Sequence, residues 1–340
     1  MVLWICVNRY YKVDAGKRKE SNKRGLTLFF AHAVGFVKEI WEPTIKHLLA
    51  SSSDLIDEIW TWEAIQHGDS APVNEKQLSC LYDWIDNGRD ILNFFAYYIP
   101  SSPSSTPLPV HLPRVHESVS RERNDQGLSE RKIVAIGHSF GGCTSALAAL
   151  TNPDLFFCLI LLDPVIVRPL GPGEKDDYAG DYVVGALLRR DTWKSKSEAI
   201  GLLKKIPFFS SWDPGSLEVY AECGLTGIID EKGNELVKLK APSLQEAVVF
   251  SSIQTQMEVY ARLPTLDDKI KLRWVMPGRI DPDDLVGPPG ATQQRVWLRP
   301  INSSNVRIPN AGHLIPHEAP RELADEIRDI LQETEIRTKL

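Results

Sequence analysis

The sequence predicts an α/β fold: a mostly parallel central sheet flanked by helices, with a helical cap inserted after the sixth strand. Three observations predict it. Short apolar runs at 26–31, 133–136 and 156–162 alternate with helical stretches, the order of βαβ units. The text KIVAIGHSFGG at 132–142 drops from strand to helix through one sharp bend. The stretch 165–266 then breaks the alternation of strand and helix, as an inserted unit does.

Taken in order, residues 3–13 predict a hairpin leading into the strand LTLFFA at 26–31. Trp41-Glu42-Pro43 opens a helix through Leu49, because proline is tolerated in a first helical turn. The run IDEIWTWE at 56–63 is the next strand, followed by the loop Gln66-His67-Gly68-Asp69-Ser70. Across 83–98, Trp84, Ile85, Ile91, Leu92 and Phe95 recur at helical spacing. Segment 100–125, rich in Ser, Pro and charge, offers little core-forming text and is expected to be a flexible insertion. Within 165–266, aromatic residues such as Tyr182, Trp193, Phe208, Phe209, Trp212 and Tyr220 are spread through helical text. They are expected either to line an apolar acyl pocket or to form the cap's own core. A strand at 272–276, a short strand through Val306 and Ile308, and a helix from Pro320 complete the pattern. The expected domains are therefore a core of 1–164 with 267–340 and a cap or lid of 165–266.

The bend carries the chemistry. Gly137-His138-Ser139-Phe140-Gly141 fits the G-x-S-x-G nucleophile elbow of α/β-hydrolases in the strand–turn–helix context that motif requires. A serine hydroxyl becomes a nucleophile when a base takes its proton and a carboxylate orients that base, in the chain order Ser, acid, His. His313 meets the last requirement, in the loop between the Val306–Ile308 text and the final helix. His317 lies nearer that helix and reads as a surface residue. For the acid, two residues are chemically plausible. Asp163 ends FFCLILL and precedes Pro164, while Asp281 follows the 272–276 strand, the more usual position. The oxyanion hole is expected from the backbone N–H groups of Phe140 and of Val34, in the loop after 26–31. His32 reads as a hydrogen-bonded residue that shapes that loop.

Composition limits the alternatives. A net charge of −6 argues against a nucleic-acid footprint, and the basic cluster around 17–24 reads as a solvated loop. Five scattered cysteines show no metal-ligand spacing; Cys6, Cys143 and Cys158 fall in apolar text and read as small core residues. No apolar run approaches the roughly 20 residues of a membrane span, and MVLWICV is too short for a secretory core, so a soluble intracellular protein is expected. Thr338-Lys339-Leu340 match the small–basic–Leu form of a peroxisomal address, implying an import receptor as partner. The reaction needs neither metal nor redox cofactor. A binding protein on a catalytically silent hydrolase fold, or an acyltransferase, would be the competing function.

The texts FFAHAVGFVKEIWEP, HGDSA, GHSFGG, LLLDPVI, RRDTW and NAGHLIP together resemble fungal secondary-metabolism α/β-hydrolases. That group includes the peroxisomal acyl-CoA hydrolase of mycophenolic acid biosynthesis and the hydrolases of Alternaria decatrienoate-type toxin pathways. The resemblance covers most of the chain and weakens at 100–125. It implies hydrolysis of an acyl thioester or ester, such as an acyl-CoA, in the peroxisome during biosynthesis of a polyketide- or fatty-acid-derived toxin. It also implies Asp163 as the acid, because the mycophenolate hydrolase places that residue in a similar LLLDP stretch.

Overall fold

A computed structural model describes residues 2–13, 25–171, 177–279, 286 and 290–337. The first half of the chain lays down β1 (Val7–Tyr11), β2 (Leu26–Ala31), α1 (Glu42–Ser52), β3 (Ile56–Trp62) and the short α2 (Ser70–Asn74). It continues through α3 (Trp84–Asn93), α4 (Glu117–Gln126), β4 (Lys132–His138), α5 (Phe140–Thr151) and β5 (Cys158–Leu162). After the inserted stretch come β9 (Lys271–Pro277), α12 (Ala291–Val296), β10 (Ser303–Ile308), α13 (Ile315–Glu318) and α14 (Pro320–Arg337).

Seven strands form one sheet in the order β1-β3-β2-β4-β5-β9-β10. All neighbours run parallel except β1, which pairs antiparallel with β3 at the edge. The near-continuous apolar text of the central strands follows from burial on both faces. Alternate residues go to opposite cores: Leu28, Phe30, Val134, Ile136, Ile160 and Leu162 pack on one face. Phe29, Ala31, Ile133, Ala135, Leu159 and Leu161 pack on the other. Helices α1 and α14 pack together, as do α3 and α5. Helix α5 is buried on nearly every side, so its small residues let it lie close to the sheet.

Because β2 lies between β3 and β4, the chain leaves β2 toward one side of the sheet and returns to extend the other. The switch in direction opens a crevice at the carboxyl ends of β2 and β4, the usual place for a ligand site in such sheets. That crevice is where the loop of Val34 and the bend at Ser139 emerge.

Several expectations are corrected. No hairpin forms at 3–13: the N–H groups of Trp4 and Cys6 donate to Asn74 Oδ1 and Ser70 Oγ, so side chains replace the expected ladder. Cys6 is consequently half-buried, whereas Cys143 and Cys158 are core residues. With one strand fewer, the insertion follows the fifth described strand rather than the sixth. Segment 100–125 holds a helix, α4, capped by His116 and closed at Gly127. The same segment is tied down: Arg9 reaches the carbonyl oxygen of Thr106, and Arg123 reaches Ser101 Oγ and the carbonyl oxygen of Phe95. The basic cluster around 17–24 and the tail Thr338–Leu340 lie outside the described residues.

Between β5 and β9 the chain forms α6 (Asp177–Leu188), β6 (Thr192–Trp193), α7 (Lys196–Leu203), α8 (Pro207–Ser210) and α9 (Pro214–Gly224). It goes on through β7 (Leu225–Ile229), β8 (Glu235–Leu239), α10 (Ser243–Phe250) and α11 (Gln254–Arg262). This stretch is not wholly helical, because β6, β8 and β7 make a small antiparallel sheet. Its hairpin turns through Asp230–Asn234, where the Asp230 carboxylate accepts from the N–H groups of Lys232 and Asn234. Gly233 there takes the positive φ of 81° that the turn needs.

At the opposite end of the sheet from the crevice, Glu58 is fully buried beneath Arg131 and Arg9 and also accepts from Trp60 Nε1. Arg131 further binds Thr27 Oγ1 and the carbonyl oxygen of Pro100, joining β2, β3 and the approach to β4. Removing one partner of a buried pair leaves an uncompensated charge, at a cost of about 3–5 kcal/mol. Arg131→Met is therefore expected to lower unfolding stability by that amount in urea titrations. An unchanged urea midpoint would show that the network carries no net stability.

Candidate active site

Ser139 sits between β4 and α5 with φ 54° and ψ −114°, a conformation that side chains rarely adopt. The glycines around it are required by crowding. A Cβ on Gly137 would come within 2.6 Å of Gly142 Cα, and one on Gly141 within 2.6 Å of the His32 carbonyl oxygen. The Ser139 N–H donates to Leu162 O at 3.0 Å, and the Gly141 N–H donates to His32 O at 3.1 Å. The bend is thereby fixed to the ends of both neighbouring strands.

His313 comes from the loop between β10 and α13, and Asp163 follows β5 directly. His313 Nε2 lies 3.0 Å from Ser139 Oγ, and His313 Nδ1 lies 2.6 Å from Asp163 Oδ2. The structure thus brings Ser139, His313 and Asp163 into one continuous line of contacts. Asp281, the other candidate acid, lies outside the described residues. Burial alone would push the Asp163 carboxyl up. The His313 hydrogen bond and charge, with the Arg295 charge, more than offset this and hold it below the usual carboxylate range. Asp163 is therefore a buried carboxylate that remains ionised and can orient a ring N–H.

Arg295, on α12, was not foreseen from sequence. It is fully buried, and its guanidinium lies 3.4 Å from Asp163 Oδ1. It also donates to the carbonyl oxygens of Ile166 and Val286 and to Thr292 Oγ1. One arginine within ATQQRV carries no local signal, because its partners come from remote parts of the chain.

Val34 lines the space beside Ser139, and Phe140, the residue after Ser139, is buried. Their backbone N–H groups have no hydrogen-bond partner among the described residues, and that of Phe140 opens a helix, where a free donor is expected. His32 shapes the first loop: Nε2 accepts from the Ala64 N–H, and Nδ1–H donates to Ala33 O at 2.6 Å. Burial lowers the His32 pKa to about 4, so the ring is neutral.

His317 corrects the surface assignment. It is fully buried, its ring 4.2 Å from that of Phe36 and 4.4 Å from that of Trp212. Burial drives its pKa well below the ordinary value, so it packs as a neutral aromatic. His138, also buried, has its pKa lowered to about 3, chiefly by burial and then by His313; its Nε2–H donates to the carbonyl oxygen of His313.

A cavity of about 980 Å³ opens onto Ser139 and His313. Val34 and Phe36 line the side nearest the sheet; Ile206, Phe209, Tyr220 and Phe250, from the inserted stretch, line the other. Among the described residues, no group of three His, Cys, Asp or Glu side chains could hold a metal ion, and no helix is long and apolar enough to cross a membrane.

Known proteins share this arrangement of sequence and fold. The profile of the "Alpha/beta hydrolase family" matches residues 28–326. The Saccharomyces cerevisiae protein named peroxisomal membrane protein LPX1 is 24% identical over 259 residues, covering 72% of this chain and 60% of the relative. Its crystal structure matches with a TM-score of 0.76 at 21% identity, covering 98% of this chain and 83% of that one. The type I acyl-CoA thioesterase mpaH of Penicillium brevicompactum is 32% identical over 197 residues, 57% of this chain and 38% of the relative. The abhydrolase domain-containing protein ACTT2 of Alternaria alternata is 26% identical over 235 residues, 61% of this chain and 85% of the relative. The alignments with the yeast and Penicillium proteins thus span less than two thirds of either relative's length. Penicillium acyl-CoA thioesterases and Alternaria abhydrolase domain proteins are thus among the relatives of this chain.

The crowding at Gly141 can be tested directly. Its added Cβ would meet rigid backbone, so Gly141→Ala is expected to cost about 1–3 kcal/mol. Differential scanning calorimetry should record a lowered Tm; an unchanged Tm would mean that the two loops can separate without cost.

Proposed function

We propose that this chain, which belongs to the α/β-hydrolase family, is a serine hydrolase cleaving an acyl thioester or ester. The observation that carries the reading is the line from Ser139 Oγ through His313 to Asp163, ending in a largely apolar cavity. His313 Nε2 takes the Ser139 proton as Oγ attacks the acyl carbon, while Asp163 accepts the Nδ1–H and stabilises the imidazolium. The N–H groups of Val34 and Phe140 receive the oxyanion, with no reorganisation needed because both donors are free. His313 then gives its proton to the leaving thiol or alcohol. In the second half-reaction it activates water, which attacks the acyl-enzyme and releases the carboxylic acid.

Residues 165–266 act as the cap over this chemistry, their apolar side chains holding the acyl group. The name of the Penicillium relative supports an acyl-CoA as the thioester. The sequence resemblance supports a place in the biosynthesis of a fungal polyketide- or fatty-acid-derived toxin, and the chain's likeness to Alternaria abhydrolase domain proteins agrees with that resemblance. The name of the yeast relative supports peroxisomal location, with Thr338, Lys339 and Leu340 as the address read by the import receptor.

A fluorophosphonate probe should label the wild-type chain and leave Ser139→Ala unlabelled. Asp163→Asn should lower kcat on an acyl thioester by about three to four orders of magnitude with the fold intact. Folded wild-type protein that takes no label would instead indicate a binding protein, and ester formation from added alcohol in place of free acid would indicate an acyltransferase. A fluorescent fusion should be punctate with the tail and diffuse after deletion of Thr338–Leu340; puncta that persist would assign import to another signal.

A further inference from the structure

Asp163 stands at the end of β5 with φ 32°, a conformation that a residue with a Cβ keeps only under constraint. Its two carboxylate oxygens have different partners. Oδ2 meets His313 Nδ1, and Oδ1 faces Arg295. The side chains of Asp163 and Arg295 are each 1% exposed. Arg295 grips more than the carboxylate. Its Nη2 donates to Asp163 Oδ1 at 3.4 Å and to Thr292 Oγ1 at 3.1 Å. Its Nη1 donates to the carbonyl oxygens of Ile166 at 3.1 Å and Val286 at 3.0 Å. Two terminal nitrogens carry four hydrogens, and four acceptors meet them. The planar fork therefore spans from the Asp163 carboxylate to the carbonyl three residues on, and clamps the strained turn at both ends.

Charge points the same way. Three described groups act on the Asp163 carboxylate: His313 from the loop before α13, Arg295 from α12 and His138 from β4. His138 is neutral, its pKa lowered to about 3 chiefly by burial. Arg295 is thus the permanent cation among the three. Burial favours the protonated form of an enclosed carboxyl, and a protonated Asp163 would lose the charge that steadies an imidazolium. Arg295 does not line the cavity. Any effect it has on the reaction is therefore transmitted through Asp163.

We propose that Arg295 is a positioning residue, which holds Asp163 in its strained turn as the oriented anion that His313 requires. This rests on the hydrolase reading for the reaction it serves. A cation beside a coupled carboxylate and imidazole opposes proton uptake by either member. Removing it raises the pH at which the pair takes up its proton, whichever residue holds that proton.

The test measures kcat/KM for an acyl ester against pH in Arg295→Met, Arg295→Gln and Arg295→Lys, per folded molecule. Glutamine, which keeps some of the hydrogen bonds, serves if the methionine variant does not fold. The acid limb is expected to move up by about one pH unit in the neutral variants, with KM little changed. Lysine keeps the charge and should leave the limb close to its wild-type position. A second arm adds Arg295→Gln to Asp163→Asn. Because Arg295 acts through Asp163, residual turnover there should change by less than about twofold. NMR titration of the His313 ring follows the same proton without substrate and should show the same upward move. Wild-type protein that turns over no ester would therefore count against the hydrolase reading alone. A limb and a ring titration that stay in place in the neutral variants overturn the proposal. So does an equal move with lysine, or a loss that persists in full on the Asp163→Asn background; Arg295 would then only pack α12 against the sheet.

Discussion

At Ser139 the backbones of β2, β4, α5 and β5 meet with no space for a side chain on either flanking glycine. A positive φ on a residue with a Cβ costs of order 1–3 kcal/mol and persists only where its surroundings over-determine it. Here four hydrogen bonds do so. Ser139 and Gly141 donate to Leu162 and His32, and the Ser139 carbonyl accepts from Cys143 and Val165. The strain is therefore carried by the whole central sheet, and the hydroxyl stands at the start of a helix without having to move there. Asp163 shows the same device at φ 32°, with its N–H held by the carbonyl oxygen of Val275 on β9. Of the three non-glycine residues with positive φ among those described, two are members of this contact line.

The order of strands explains why residues so far apart in sequence converge. In a parallel sheet every strand delivers its following loop to the same edge, so Val34 after β2, Ser139 after β4, Asp163 after β5 and His313 beyond β10 all emerge together. Neighbouring strands then set the spacing. β5 lies directly between β4 and β9, which places Asp163 one strand from Ser139, and the loop after β10 carries His313 back over that edge.

The bend and His313 were legible because their signals are local: a strand, a glycine-flanked serine and a helix in one case, a strand, a glycine and a loop in the other. The choice between Asp163 and Asp281 was not legible in that way, since it depends on which strand lies beside β4, and the residues themselves fit either place. Arg295 and His317 escaped for the same reason. Their surroundings, Asp163 for one and Phe36 with Trp212 for the other, are supplied by distant segments. The small sheet of the inserted stretch left a fainter trace. LTGII and ELVKL flank DEKGN, a turn text with aspartate and glycine at the positions a hairpin uses, yet strands this short were submerged in helical text. The missing N-terminal hairpin has the opposite cause, because the text was strand-like but the hydrogen bonds went to Ser70 and Asn74.

The histidines show how burial sorts chemically identical side chains into different roles. His32, His67, His138 and His317 are all enclosed, and enclosure lowers the pKa of each, so they remain neutral and act as packing rings or fixed hydrogen-bond partners. His138 spends its Nε2–H on the carbonyl oxygen of His313 and so holds the loop that carries that ring. His313 differs from those four in two respects: it borders the cavity, and one ring nitrogen faces a buried carboxylate while the other faces a hydroxyl. An imidazolium formed there would gain the Asp163 charge at once, whereas one formed on His32 or His317 would find no carboxylate in hydrogen-bond contact with its ring. What sets His313 apart is thus the pair of neighbours that the sheet edge assembles around one ring, while the other four rings are enclosed as structure.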